Sequence, residues 1–210
     1  MTLDTNYFTA EIGSIFATPV YTSKLDKKIT PEELKFINKN KQESHENEGN
    51  TVSNNNYVLN EKPFKKLKLQ IDLRVQDYFN KVICSSNNIK PYITQSWLNY
   101  TETNQHHHKH SHPNSLVSGV LYLNANKQFD KITFSKDVYN NIKPTCKEYN
   151  IWNADSWYVP VETGDIIMFP SSLSHKVELK KGDNVRVSLS FNVFIKGEVG
   201  EGSKLTKLIL

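Results

Sequence analysis

His106-His107-His108-Lys109-His110-Ser111-His112-Pro113-Asn114-Ser115-Leu116-Val117-Ser118-Gly119-Val120-Leu121-Tyr122-Leu123 carries five of the chain's seven histidines within seven positions. The other two are His45, in a polar segment, and His175, alone downstream. Imidazole is the commonest side-chain metal ligand, and two histidines one residue apart on an extended strand point to the same face, so a His-x-His pair can grip one ion. Three such pairs overlap here, and spacing alone does not choose among them. Pro113, Asn114 and Ser115 then read as a turn, and Leu116 to Leu123 as a β-rich apolar run. That places His110 and His112 at the structured rim of a strand, with a third ligand to come from elsewhere. His106 to His108 read as solvated, or as holders of adventitious metal.

The 210 residues suit one domain with a substantial core. The net charge is +4, and of 26 lysines and arginines only Arg74 and Arg186 are arginine, so the basic residues read as a solvated surface and nucleic acid is an unlikely partner. Cys84 and Cys146 form no CxxC, which points to neither a disulfide scaffold nor a zinc ribbon and fits a reducing cytoplasm. Met1-Thr2-Leu3-Asp4 begins no basic and apolar leader, and no apolar stretch approaches membrane-spanning length, so a soluble, unexported chain without a membrane partner is expected. A homodimer and an unidentified substrate stay open as partners.

Along the chain, Ile12 to Tyr21 alternates loosely around Pro19 and suggests a short edge strand. Thr30 as N-cap, Pro31 at the first helical position, Glu33 three residues on and Ile29 placed to staple against Leu34 mark a helix running to about Ser44. His45 to Asn56 is almost wholly polar and reads as a mobile loop. Phe64, Leu67, Ile71, Val75, Tyr78 and Val82 recur at three- and four-residue steps, the stripe of a core-facing helix. From Tyr92 the rhythm becomes that of strands: Tyr92 to Tyr100, Leu116 to Asn124, Lys131 to Phe134, Ser156 to Val159, Asp165 to Phe169, His175 to Leu179 and Val185 to Ile195. Such a series implies a sandwich or jelly roll. The divisions are residues 1–91 as helical support, 92–196 as the core and 197–210 as a C-terminal tail.

In the last strand Val185, Val187, Leu189, Phe191, Val193 and Ile195 share one face, and Arg186, Ser188, Ser190 and Asn192 the other. A sheet with one wet face would give the same alternation. If helices cover the apolar face, however, the polar face opens into a barrel mouth, where the planar fork of Arg186 suits bidentate carboxylate capture.

His110-Ser111-His112-Pro113-Asn114-Ser115 before Ser118-Gly119-Val120-Leu121-Tyr122-Leu123, then Gly164-Asp165-Ile166-Ile167-Met168-Phe169-Pro170-Ser171 with His175, then Arg186-Val187-Ser188-Leu189-Ser190-Phe191-Asn192, resembles the HxHP-motif branch of the iron(II)/2-oxoglutarate oxygenases. The likeness runs from about Trp97 to Ile195, with a weaker echo in the first twenty residues. It implies a mainly β fold, a double-stranded β-helix (jelly roll, cupin-like barrel) with two N-terminal helices outside. It also implies a dioxygenase, a hydroxylase in the usual case, that uses Fe(II), 2-oxoglutarate as cosubstrate and O2. By the same resemblance His110, His112 and His175 hold the metal and are the catalytic residues. Arg186, eleven residues after His175, takes the far carboxylate of 2-oxoglutarate with Ser188 as the hydroxyl of an Arg-x-Ser pattern. Tyr122 and Asn99, on strands read as neighbours, add hydrogen bonds.

One departure matters. The wider superfamily has a carboxylate where this chain has His112, and three neutral imidazoles suit zinc, or a cupin-type dioxygenase without 2-oxoglutarate, as well as iron. A non-catalytic metal-binding jelly roll is the remaining alternative. Asp130 and Asp165 are candidates to orient the ligands from behind.

Overall fold

The computed structural model describes residues 9–25, 27–136, 142 and 144–210. The reading of Met1 to Asp4 falls outside them. The described residues form two α-helices and twelve strands in two antiparallel sheets, the double-stranded arrangement expected.

Helix α1 (Pro31–Gln42) starts where the capping signals put it. Thr30 Oγ1 accepts from the Glu33 amide at 3.2 Å and the Glu33 carboxylate accepts from the Thr30 amide at 2.7 Å, so two otherwise orphaned N–H groups are satisfied reciprocally. The expected staple does not form: Ile29 packs into the core while Leu34 stays 52% exposed. Helix α2 (Lys65–Tyr78) buries Leu67, Ile71, Val75 and Tyr78, the expected stripe, and runs on through a π-helical turn at Phe79–Ile83.

The strands are β1 (Tyr21–Lys24), β2 (His45–Glu46), β3 (Thr51–Val52), β4 (Ile89–Thr101), β5 (His107–His110), β6 (Val117–Asn124), β7 (Lys131–Ser135), β8 (Ser156–Pro160), β9 (Asp165–Pro170), β10 (His175–Val177), β11 (Arg186–Val199) and β12 (Leu208–Ile209). The larger sheet has the order β1-β9-β6-β11-β4-β3-β2, with β12 on β11, and the smaller has β5-β10-β7-β8. Val187, Leu189, Phe191, Val193 and Ile195 of β11 join Leu67, Ile71 and Val75 in one core, so the helices do cover the apolar face. A second core between the sheets contains Val120, Tyr122, Ile132, Phe134, Ile167 and Phe169. The polar face of β11 therefore looks into the space between the sheets.

Three expectations need correction. The first strand begins only at Tyr21, where pairing with β9 starts, because Pro19 brings no ladder N–H and Phe16 upstream is 99% exposed. The segment from His45 to Asn56 is no loop throughout: β2 and β3 form a hairpin that extends the larger sheet, with Thr51 opposite Tyr100 and Val52 opposite Asn99. Ser53 fixes it, its amide donating to Leu98 O at 2.9 Å and its hydroxyl accepting from the Leu98 amide at 3.0 Å. Backbone pairing with an open edge has overridden a polar composition. Third, the end of the chain folds back, with Leu208 and Ile209 pairing Val199 and Glu198.

Candidate active site

The smaller sheet positions the downstream histidines. His175, the first residue of β10, lies directly opposite His110, the last of β5. Two residues on, the His112 amide donates to Ser171 O at 2.9 Å, and Asn114 takes a positive φ of 56° to turn the chain into β6. One ring nitrogen of each of His110, His112 and His175 lies within 4.8 Å of the others. The ring centroids are 4.4 Å apart for His110 and His175, 4.9 Å for His110 and His112, and 5.2 Å for His112 and His175.

The backbone sets two of the tautomers. His110 Nδ1 lies 2.9 Å from His108 O and His175 Nδ1 lies 3.0 Å from Leu173 O. A carbonyl oxygen only accepts, so each Nδ1 carries the proton and each Nε2 keeps its lone pair for an ion. Carbonyls thus do the orienting expected of Asp130 or Asp165. Asp165 instead pairs with Lys24 at 3.0 Å, and Asp130 is occupied by Lys180 at 3.7 Å and Asn184 at 3.1 Å. Burial, with the neighbouring imidazoles second, lowers the pKa of His175 to about 3 and of His112 to about 4, and burial lowers that of His110. All three are neutral at neutral pH.

Facing them across a small cavity is the polar side of the larger sheet. Arg186 is 3% exposed, and burial lowers its pKa. Among the described residues its guanidinium reaches Lys131 O and Thr101 Oγ1, both at 3.5 Å, and its Nε has no hydrogen-bond partner. Asn99 donates to Ser190 Oγ at 3.0 Å, but its buried Oδ1 also has no partner among the described residues. Asn99 and Tyr122 are not on adjacent strands as expected. Ser188 of β11 stands between them, paired with Asn99 on one side and Tyr122 on the other, so the three side chains form a row across the sheet. Burial pushes the Tyr122 phenol up to about 12, so it stays a neutral donor. The row and Arg186 line the same cavity as the three histidines.

This donor set fits the groups that the resemblance implies. Three neutral imidazoles with lone pairs suit a divalent transition ion, and a buried guanidinium with an orphaned N–H suits a carboxylate.

Several site residues escaped the sequence reading. His107, expected to be solvated, lines the cavity, and burial lowers its pKa to about 3. Pairing of β5 with β10 carries it inward, with His107 opposite Val177. Trp97 of β4 sets its ring 5.8 Å from that of His112. Ser118 donates to Asn192 Oδ1 at 2.9 Å and meets Ser171 Oγ at 2.8 Å, a hydroxyl chain behind His112. The alternation of Ser118, Val120 and Tyr122 on one strand face was the available signal for Ser118.

Residues 95–192 match the family model described as "Putative 2OG-Fe(II) oxygenase". The chain resembles the 2OG-Fe(II) oxygenases. Solved structures of such enzymes share its fold at low identity. HygX from Streptomyces hygroscopicus, crystallised with nickel, 2-oxoglutarate and hygromycin B, has a TM-score of 0.58 at 12% identity over 84% of this chain and 82% of its own. A prolyl hydroxylase from Trichoplax adhaerens, in complex with a hypoxia inducible factor peptide, has a TM-score of 0.58 at 14% identity over 83% of each chain. The non-heme alpha ketoglutarate dependent epimerase SnoN from nogalamycin biosynthesis has a TM-score of 0.62 at 12% identity over 86% and 79%. No curated protein matches the sequence significantly.

Proposed function

We propose that this protein is an iron(II)- and 2-oxoglutarate-dependent dioxygenase, a hydroxylase, with His110, His112 and His175 as metal ligands. The observation that carries this reading is Arg186: a guanidinium 3% exposed, with an orphaned Nε, across a cavity from three lone-pair imidazoles. A buried cation without a strong acceptor is costly, and a dicarboxylate chelating the metal at one end would satisfy it at the other. Iron, 2-oxoglutarate and O2 together supply oxidative decarboxylation to succinate coupled to hydroxylation of a substrate carbon. The chain's part is positioning. Arg186 and Ser188 take the far carboxylate, Tyr122 and Asn99 flank it, and Phe169 and Phe134 wall the His175 ring at centroid distances of 4.7 and 6.4 Å.

Substrate would enter by the groove outside His112, lined by Val52, Asn56, Thr94, Gln95, Trp97, Pro113, Asn114 and Asn192. Its polar side chains are uncharged amides and a hydroxyl beside one indole. That lining suits a neutral, hydrogen-bonding substrate with a flat or apolar face. A reducing cytoplasm is the proposed location, in keeping with Cys84 and Cys146 as free thiols. No helix among the described residues is long and apolar enough to cross a membrane. A homodimer is tested by sedimentation of the purified chain.

The deciding experiment is anaerobic titration of iron-loaded protein with 2-oxoglutarate, followed by the visible charge-transfer band of the chelate. A saturable band that weakens in Arg186→Ala supports the assignment. No band with iron demonstrably bound would favour the cupin-type or non-catalytic alternative.

A further inference from the structure

A second group of histidines lies beside the one just assigned. His107, His108 and His110 each offer a ring nitrogen within 4.8 Å of the other two. Their ring centroids are 5.1, 4.6 and 4.9 Å apart. The β2–β3 hairpin brings a carboxylate to His108: Glu48 Oε2 lies 3.5 Å from His108 Nδ1, which is buried and makes no hydrogen bond among the described residues. His107 Nε2 meets the Asn47 amide at the outer limit of 3.5 Å. Gly49 completes the turn at φ +90°, and a Cβ there would fall 2.6 Å from the His106 ring, so the hairpin tip is held close against β5.

We propose that His107, His108 and His110 form a second divalent-cation site that shares His110 with the inner group, with Glu48 beside His108 at its edge. Three imidazoles suit a borderline first-row ion such as Zn(II), Co(II) or Ni(II). His110 Nδ1 is bound to the His108 carbonyl, so His110 has one lone pair, on Nε2, to give. An ion held through it in one site excludes an ion held through it in the other. The outer site is then strongest when the inner one is empty. This assignment does not depend on the oxygenase reading, because it needs neither 2-oxoglutarate nor iron.

The test uses Co(II) as the probe on the full-length His112→Ala/His175→Ala variant, read by visible d–d absorption and equilibrium dialysis. One equivalent is expected to stay bound. A further His107→Ala or His108→Ala should lower the affinity at least tenfold, and Glu48→Gln should lower it by less. His45→Ala, on the same hairpin but with its ring on Asn54 at 2.6 Å, should change nothing. Absence of Co(II) from the folded double variant, or an equal loss with His45→Ala, overturns the proposal. Should the double variant fail to fold, the single variant His175→Ala, whose inner group keeps only two ligands, takes its place. One Co(II) equivalent that disappears when His107→Ala/His108→Ala is added supports the site, and one that persists refutes it.

Discussion

At the scale of single residues, the site depends on groups that cannot be exchanged for near relatives. A guanidinium facing a carboxylate in a desolvated cavity makes charge-assisted bonds of about 1.5 to 3 kcal/mol, and each 1.4 kcal/mol is about tenfold in affinity. Arg186→Ala should therefore weaken 2-oxoglutarate roughly tenfold to a few hundredfold in the anaerobic titration, with iron affinity nearly intact. Arg186→Lys should fall between, because a point charge cannot replace the fork. Arg74→Ala is the control: its side chain bonds Gln70 and Lys24 O, far from the cavity, and 2-oxoglutarate affinity should not move. His112→Asp restores the carboxylate of the commoner ligand set and should still bind iron and 2-oxoglutarate. A folded variant that binds neither would remove His112 from the metal. His175→Ala should abolish iron binding by the inner group, measured by dialysis, whereas His45→Ala should leave it unchanged.

At the scale of elements, the site is only as well placed as the strands that carry it. Gly119 of β6 pairs with Phe191 of β11, and a Cβ at Gly119 would lie 2.2 Å from the Phe191 ring. Since the ring is fully buried, Gly119→Ala forces β6 and β11 apart, and overpacking of this kind costs about 1 to 3 kcal/mol. Thermal unfolding should show the loss, and 2-oxoglutarate affinity should fall with it, because Tyr122 and Ser188 sit on the displaced strands. Thr30→Ala removes the hydroxyl that caps α1 and should cost about 0.5 to 2 kcal/mol without altering iron or cosubstrate affinity. The contrast between these variants separates elements that build the cavity from one that covers its back.

For the whole molecule, β11 divides the two cores: its apolar side closes the helical layer and its polar side closes the cavity between the sheets. Ligands that bridge the two sheets should thus stabilise the fold as a unit. At a hundred times its Kd, 2-oxoglutarate bound to anaerobic metal-loaded protein contributes about 2.7 kcal/mol, a rise in Tm of roughly 5 to 10 °C for a chain of this size. Differential scanning fluorimetry with Ni(II) in place of iron checks it. The cosubstrate shift should vanish on chelation and in His175→Ala, and a shift that survives metal removal would mean that 2-oxoglutarate binds elsewhere.

The sequence by itself determined the parts whose signals are local. The capping residues around Thr30 fixed the start of α1, the three- and four-residue stripe fixed α2, and strict alternation from Val185 to Ile195 sorted the faces of β11. The ordered HxHP, His175 and Arg-x-Ser motifs carried the resemblance and named the residues that line the cavity. Tertiary structure decided what depends on pairing between distant segments. The polar run from His45 to Asn56 has no apolar pattern to announce a strand, yet it forms a hairpin because the edge of β4 offers it backbone hydrogen bonds. Asn99 and Tyr122 flank Ser188 instead of adjoining each other because β11 inserts between β4 and β6, an order that no local periodicity encodes. His107 moves from solvent to the cavity for the same reason: its burial belongs to the pairing of β5 with β10, sixty-odd residues away in the chain.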